Sequence, residues 1–153
     1  MLAVETVPSP ADSAAAFDSA WETFFRAVRH ARGRAARAED GALTLPQYHL
    51  LDPLARAGAL PVGVLADEAG VAAPTATKML DGLVRARLVE RAAAPHDRRV
   101  VLISLTRAGH EALAAKRERV KAVRAEIQAQ LSETERDQTA ALLRRLAAIV
   151  EDL

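Results

Sequence analysis

A chain of 153 residues, half of them apolar, is long enough for one compact domain or a small domain with helical appendages, and too apolar for wholesale disorder. It holds no cysteine, which excludes disulfides, thiolate metal sites and thiol-based redox switches. The net charge is only +1, but the segment from Val71 to Arg107 carries seven basic and three acidic side chains, a local surplus suited to a phosphate-facing surface.

Residues 1–13, with Pro8, Ser9, Pro10 and Ser13, read as a flexible N-terminal arm. They show no basic stretch followed by an apolar run, so no signal peptide is expected. No uncharged apolar stretch reaches the roughly 18 residues of a membrane helix. These features, with the missing cysteines, lead to the expectation of a cytoplasmic protein without a membrane partner. From Ala14, Phe17, Trp21, Phe24, Val28 and Ala31 recur at alternating spacings of four and three, which predicts an amphipathic helix to about Ala38. Glu39, Asp40 and Gly41 then read as a turn, so that 14–42 form one helix and its exit.

Thr44-Leu-Pro-Gln47 opens a second helix. Thr44 can cap it, Gln47 can reach back, and Pro46 falls in the first turn, where its missing N–H costs nothing. Tyr48, Leu50, Leu51 and Leu54 ride on this helix, which is expected to stop near Gly58. A short third helix is predicted from Pro61 to Ala69, ended by Gly70, and a fourth from Pro74 to Arg87 with Ala76, Met79, Leu80 and Leu83 inward. The residues before that helix are Ala72 and Ala73. Neither side chain can cap, so its start is weakly held.

The period then changes. Leu88-Val-Glu-Arg91 and Val100-Val-Leu-Ile-Ser-Leu105 are β-rich runs separated by the polar loop Ala94-Pro-His-Asp-Arg-Arg99, which predicts a hairpin with a basic tip. Thr106 caps a long helix from Arg107 to about Gln130, with Leu113, Val120, Val123, Ile127 and Leu131 on one face. Ser132-Glu-Thr-Glu135 is a capping box that starts a last helix bearing Leu142, Leu143, Leu146, Ile149, Val150 and Leu153.

The order helix, short helix, glycine turn, helix, hairpin is that of a winged helix-turn-helix. The fold class expected is therefore mainly α with a small β-hairpin wing: a DNA-binding lobe over 43–106 and C-terminal dimerisation helices over 107–153. Ala66 allows close helix crossing, Gly70 supplies the turn, and Val71, Ala76 and Met79 lock the pair. The second helix of such a motif offers its N-terminal half to the major groove. Pro74, Thr75, Thr77 and Lys78 would face outward there. Threonine can meet a phosphate, a base edge or a thymine methyl, and Lys78 a guanine edge or a phosphate. Arg85 and Arg87, further along, suit backbone phosphates. On the hairpin tip, Arg98 and Arg99 can reach a narrow minor groove, and Asp97 sits where it would orient Arg99 by an ion pair.

Phe17, Trp21 and Phe24, with the stripe from Leu142 to Leu153, exceed what one small lobe can cover and suggest a second copy as partner. No phosphate loop, nucleophile elbow, paired-carboxylate or metal signature is present, and His30, His49, His96 and His110 lack ligand spacing. No enzymatic activity, metal or cofactor is expected. The competing class is a winged-helix protein–protein interaction module without operator binding, against which the basic Lys78 and Arg98 speak.

From Leu43 to Leu113 the chain resembles the MarR (multiple antibiotic resistance regulator) family. The matching stretches are Leu43-Thr-Leu-Pro-Gln47, Leu65-Ala-Asp-Glu-Ala-Gly-Val71, Pro74-Thr-Ala-Thr-Lys-Met-Leu-Asp-Gly-Leu83 and Leu88-Val-Glu-Arg91. The most specific is Asp97-Arg-Arg99 followed by Leu105-Thr-Arg-Ala-Gly109. With the flanking helices the resemblance covers roughly residues 14–153. It implies a ligand-responsive repressor: a homodimer on a pseudo-palindromic duplex operator, Thr75, Thr77 and Lys78 on bases and phosphates, Arg98 in the minor groove and Arg99 paired with Asp97. It further implies release by a small aromatic or anionic effector, with Trp21, Phe25, His30, Tyr48, His49 and Arg124 as candidate contacts. The chain departs from many members at Ala72, where they carry Ser or Asp. That removes a polar group at the start of the recognition helix, and with it the carboxylate that urate-responsive relatives pair with a first-helix tryptophan.

Overall fold

The computed structural model describes residues 10–38 and 42–153. The chain divides into two compact units, one through Leu45 and one from Pro46 onward. The first contains helix α1, Pro10–Ala38. It begins four residues ahead of the expected Ala14, inside the stretch read as an arm, because a proline in the first turn forfeits no intrahelical N–H. Residues 1–9 of that arm and the turn at 39–41 lie outside the described residues. Between Ala11 and Arg34 no side chain of α1 is buried, and Phe17 and Phe24 are more than half exposed, at 54% and 58%.

The second unit takes up α2 (Leu45–Leu51) from its second residue and continues with α3 (Leu54–Ala57), β1 (Ala59–Pro61), α4 (Val62–Glu68), α5 (Ala73–Arg85), β2 (Val89–Ala93), β3 (Val101–Leu105), α6 (Arg107–Ala129) and α7 (Glu133–Glu151). The helix expected to run to Gly58 is broken at Asp52-Pro53. The Asp52 N–H still donates to Tyr48 O, but Pro53 has no N–H, and the chain restarts with Arg56 and Ala57 both donating to Pro53 O. Gly58, at φ +77°, then turns the chain into β1.

That strand is absent from the sequence-based expectation. It pairs antiparallel with β3 through Ala59↔Ser104, Leu60↔Ile103 and Pro61↔Leu102, so the hairpin is one side of a three-stranded sheet of order β1-β3-β2. Pro61 is tolerated because β1 is an edge strand. The hairpin spans Val89–Ala93 against Val101–Leu105, a little further out than expected.

One core joins these pieces. Leu50 and Leu51 of α2, Leu54 of α3, Leu65 of α4, Leu80 and Leu83 of α5, Ile103 of β3 and Leu113 of α6 are fully buried. Each such side chain contributes about 1.5–3 kcal/mol by leaving water. The expected winged helix-turn-helix is present. Its last two helices differ from the rest: α6 has no buried residue after Lys116, and α7 has none at all. The capping box that starts α7 is formed, Ser132 Oγ accepting from the Glu135 N–H and the Glu135 carboxylate accepting from the Ser132 N–H. The Glu135 carboxyl is held below its usual range, chiefly by the Ser132 hydroxyl. No helix among the described residues is long and apolar enough to cross a membrane.

Candidate nucleic-acid interface

Helix α5 is set by the turn before it. Gly70 lies at φ +62°, a conformation a side chain would strain, and Val71 donates to Ala66 O at 3.0 Å. The chain enters α5 through Ala72, extended at φ −63° and ψ 142°, with no side-chain cap. The bare start expected from Ala72-Ala73 is thus seen in the geometry. Ala76, Leu80 and Leu83 point into the core, while Pro74, Thr75, Thr77 and Lys78 are exposed on the opposite side. Thr77 Oγ1 donates to Ala73 O at 2.9 Å, which leaves its methyl and the oxygen's acceptor capacity for an incoming group.

The far end of α5 closes with two backbone bonds, Arg87 N–H to Val84 O at 2.9 Å and Leu88 N–H to Leu83 O at 3.0 Å. This is a Schellman closure, and it puts Arg87 at φ +58°, in the region that favours glycine. Thr106 secures the same corner from the other side. Its hydroxyl donates to Arg87 O at 2.7 Å, with Leu88 O at 3.2 Å, and accepts from the Gly109 N–H at 3.0 Å. A Cβ on Gly109 would run into the Leu88 carbonyl. The Leu105-Thr-Arg-Ala-Gly109 stretch is therefore the joint at which the wing, the end of α5 and the start of α6 meet.

At the wing tip Val100 donates to Asp97 O and Ala94 to Val100 O. Asp97 accepts three bonds from Arg99: from its backbone N–H at 3.0 Å, Nε at 3.2 Å and Nη2 at 3.3 Å. These bonds, the side-chain ones first, hold the Asp97 carboxyl below its ordinary range. The ion pair expected between these residues is formed. A second pair, missed by sequence reasoning, ties the wing to the helix: Arg91 Nη2 of β2 lies 2.8 Å from Asp81 Oδ1 of α5. Neither residue stood out, because the pair joins positions ten apart across a turn whose geometry the sequence does not announce.

The local surplus of charge can now be resolved. Of the seven cations between Val71 and Arg107, Arg91 is paired with Asp81, Arg99 with Asp97 and Arg107 with Glu111. Among the described residues, Lys78, Arg85, Arg87 and Arg98 have no ion-pair partner, and all four are exposed.

The six effector candidates fall on three helices. Trp21, Phe25 and His30 are on α1, Tyr48 and His49 on α2, and Arg124 on the exposed part of α6. Trp21 and Phe25 have ring centroids 4.7 Å apart and, with Glu22, Arg26 and Arg29, line a concavity on α1. Tyr48 and His49 meet edge to face at 5.3 Å, and the Tyr48 side chain hydrogen-bonds within a cluster with Asp52 and Arg117. Among the described residues no group of three or more His, Asp or Glu side chains is placed to hold a metal ion.

The MarR family sequence profile matches residues 43–101, from just before α2 to the start of β3. The HTH-type transcriptional regulator Mb0904 of Mycobacterium bovis is 31% identical over 125 residues, spanning 82% of this chain and 87% of that protein. YusO of Bacillus subtilis superposes with a TM-score of 0.72 at 25% identity, covering 92% of this chain and 99% of that one. FabT of Streptococcus pneumoniae, solved in complex with DNA, has the same fold, with a TM-score of 0.77 at 24% identity over 89% and 96% of the two chains. A recognition helix, a wing and the joint between them, carried by a sequence that matches both the family profile and a full-length relative, lead to one assignment: the chain belongs to the MarR family of helix-turn-helix transcriptional regulators and is not an enzyme.

Proposed function

We propose that the chain acts as a homodimeric, ligand-responsive repressor on a pseudo-palindromic operator, with the N-terminal half of α5 in the major groove and the wing in the minor groove. The observation that carries this reading is the distribution of uncompensated charge. Lys78, Arg85, Arg87 and Arg98 are unpaired among the described residues while their neighbours Arg91 and Arg99 are neutralised locally. Four unpaired cations within the single stretch 78–98, on α5, the turn after it and the wing loop, suit a duplex backbone better than a protein partner. In this reading Pro74, Thr75, Thr77 and Lys78 meet base edges and nearby phosphates, Arg85 holds backbone, Arg98 enters the minor groove, and Asp97 orients Arg99. The DNA complex of the similar FabT supports the same use of the fold.

The dimer is supported by the apolar groups left in water: Phe17, Trp21 and Phe24 on α1, Val123 and Ile127 on α6, and Leu142, Leu143, Ile149 and Val150 on α7. So large an exposed apolar surface marks an interface. The cysteine-free composition and the DNA target fit a cytoplasmic location. Release by a small aromatic or anionic effector is supported by the concavity on α1, where rings and two arginines lie together. Trp21 is the single tryptophan, so titration with benzoate reads directly on its fluorescence. A saturable change is expected, and its absence removes aromatic anions from the candidates.

The decisive test is operator selection from genomic fragments, followed by affinity measurements on Lys78→Ala and Arg98→Ala. Removing one base interaction is expected to cost about 1–3 kcal/mol. Wild-type affinity in both variants would overturn this docking, and failure to select any duplex would favour the protein–protein module.

A further inference from the structure

Helix α6 leaves the winged lobe at a definite place. Gly109, Leu113 and Lys116 are buried, and from Lys121 to Gln130 every residue is exposed. At the boundary stands Arg117, whose Nη2 lies 2.7 Å from Asp52 Oδ1 although the two are 65 residues apart. Both side chains are about one-third exposed, 38% for Arg117 and 31% for Asp52.

Asp52 is itself firmly placed. It sits at the break between α2 and α3, its N–H donating to Tyr48 O at 2.9 Å and its carbonyl accepting from Ala55 at 3.2 Å. The Arg117 guanidinium, helped by the Tyr48 hydroxyl, holds the Asp52 carboxyl below its ordinary range, and Asp52 and Tyr48 in turn raise Arg117. A carboxylate fixed by the lobe's own backbone therefore grips α6 where its buried part ends.

The position gives leverage. From Arg117 to Ala129 the helix extends about 18 Å. A tilt of about 10° at Arg117 would move its far end by about 3 Å, close to the rise of one base pair. The far end carries Val123 and Ile127, which are 52% and 58% exposed and belong to the dimer face of the preceding section.

We propose that Asp52 and Arg117 are positioning residues for paired half-site recognition: their ion pair fixes the angle of the lobe on α6 and so sets the separation between the two half-sites. The inference rests on the dimeric reading above. It assigns no DNA contact to either residue, and it separates what is read, which α5 and the wing decide, from how far apart it is read.

The test is selection from random duplexes of about 40 base pairs, enough for two half-sites one or two helical turns apart. Full-length wild type, Arg117→Ala, Arg117→Lys and the exchanged pair Asp52→Arg with Arg117→Asp are compared after their masses are matched. Wild type is expected to enrich one half-site sequence at one separation. Arg117→Ala is expected to enrich the same half-site over a spread of about two base pairs or more, and to bind the wild-type site about tenfold more weakly. The exchanged pair is expected to narrow the spread again. A single unchanged separation in Arg117→Ala overturns the proposal. So does loss of the half-site sequence in both Arg117→Ala and the milder Arg117→Lys, which would make the pair a part of the reading surface or of folding. If wild type itself enriches only single half-sites, the dimeric reading fails, and this inference with it.

Discussion

Leu80 on α5 and Leu143 on α7 are the same side chain on helices of one chain, yet the first is wholly buried and the second is 56% exposed. The contrast holds for their surroundings. The winged lobe collects leucines from five helices and Ile103 from its sheet into a single core, while α7 buries nothing and α6 stops burying residues after Lys116. A lobe of this kind can hold its shape alone. Amphipathic helices in proteins draw most of their stability from the surface they pack against, and these two leave most of theirs in water. The winged lobe thus has a core of its own, while α6 and α7 hold apolar faces that the proposed second copy would cover, and the two parts should respond to mutation in different ways.

The largest expected effect is on the mounting. Ile127→Glu with Leu143→Glu places charge on the exposed apolar faces of α6 and α7. It should cost a dimer several kcal/mol, about 3–5 for each uncompensated charge that is buried. Light scattering at micromolar concentration should then report one chain in place of two, with the lobe's hydrogen-exchange protection intact. Two chains in the double variant would break the comparison. In the lobe, Leu80→Ala should cost about 3 kcal/mol in denaturant unfolding, because it leaves a cavity in a closed core. A loss below about 1 kcal/mol would mean that the core is less closed than its burial indicates.

Gly109→Ala sharpens the boundary between the regions. Its new methyl meets the Leu88 carbonyl, a backbone group that cannot turn aside, so about 2 kcal/mol or more should be lost and the wing loosened. Unchanged stability would show that the joint gives way freely. Ala72→Ser acts in the opposite direction. The extended backbone at the start of α5 suits a capping hydroxyl, and a gain of about 1 kcal/mol is expected in thermal unfolding, with none if the hydroxyl stays in solvent.

The smallest effect concerns Asp52. A carboxyl whose folded pKa lies below its unfolded value, 3.8 here, stabilises the fold fully above that value and loses its contribution as pH falls through the lowered one. The pair is partly exposed, so Asp52→Asn should cost only about 0.5–1 kcal/mol near neutrality. That difference should shrink as pH falls below 3.8 and disappear once pH has passed below the lowered folded value. A difference that persists in acid would assign the effect to packing.

The sequence is most legible where chemistry is local. Caps, glycine turns and helix periods place α4 to α7, and the Asp97-Arg99 pair follows from residues two apart. It is least legible where partners are distant. β1 has only three residues, and its strand character comes from lying beside β3. Pro53 is plain in the sequence, but a leucine pattern running through it masks the interruption. Arg91 with Asp81 and Arg117 with Asp52 depend on tertiary placement that no spacing encodes. The charge surplus of residues 71–107 is visible as a sum, but which four cations stay uncompensated is a fact of geometry.

That distribution makes salt the most direct probe of the reader. Binding to a random-sequence duplex should be measurable at low ionic strength and weaken with a log–log slope steeper than about −3, as several phosphate contacts require. Arg98→Ala, which takes away one cation per chain and so two per dimer, should make that slope shallower by about 2. No binding at low salt, or a slope indifferent to both Arg98→Ala and Lys78→Ala, would contradict a DNA reader built on α5 and the wing.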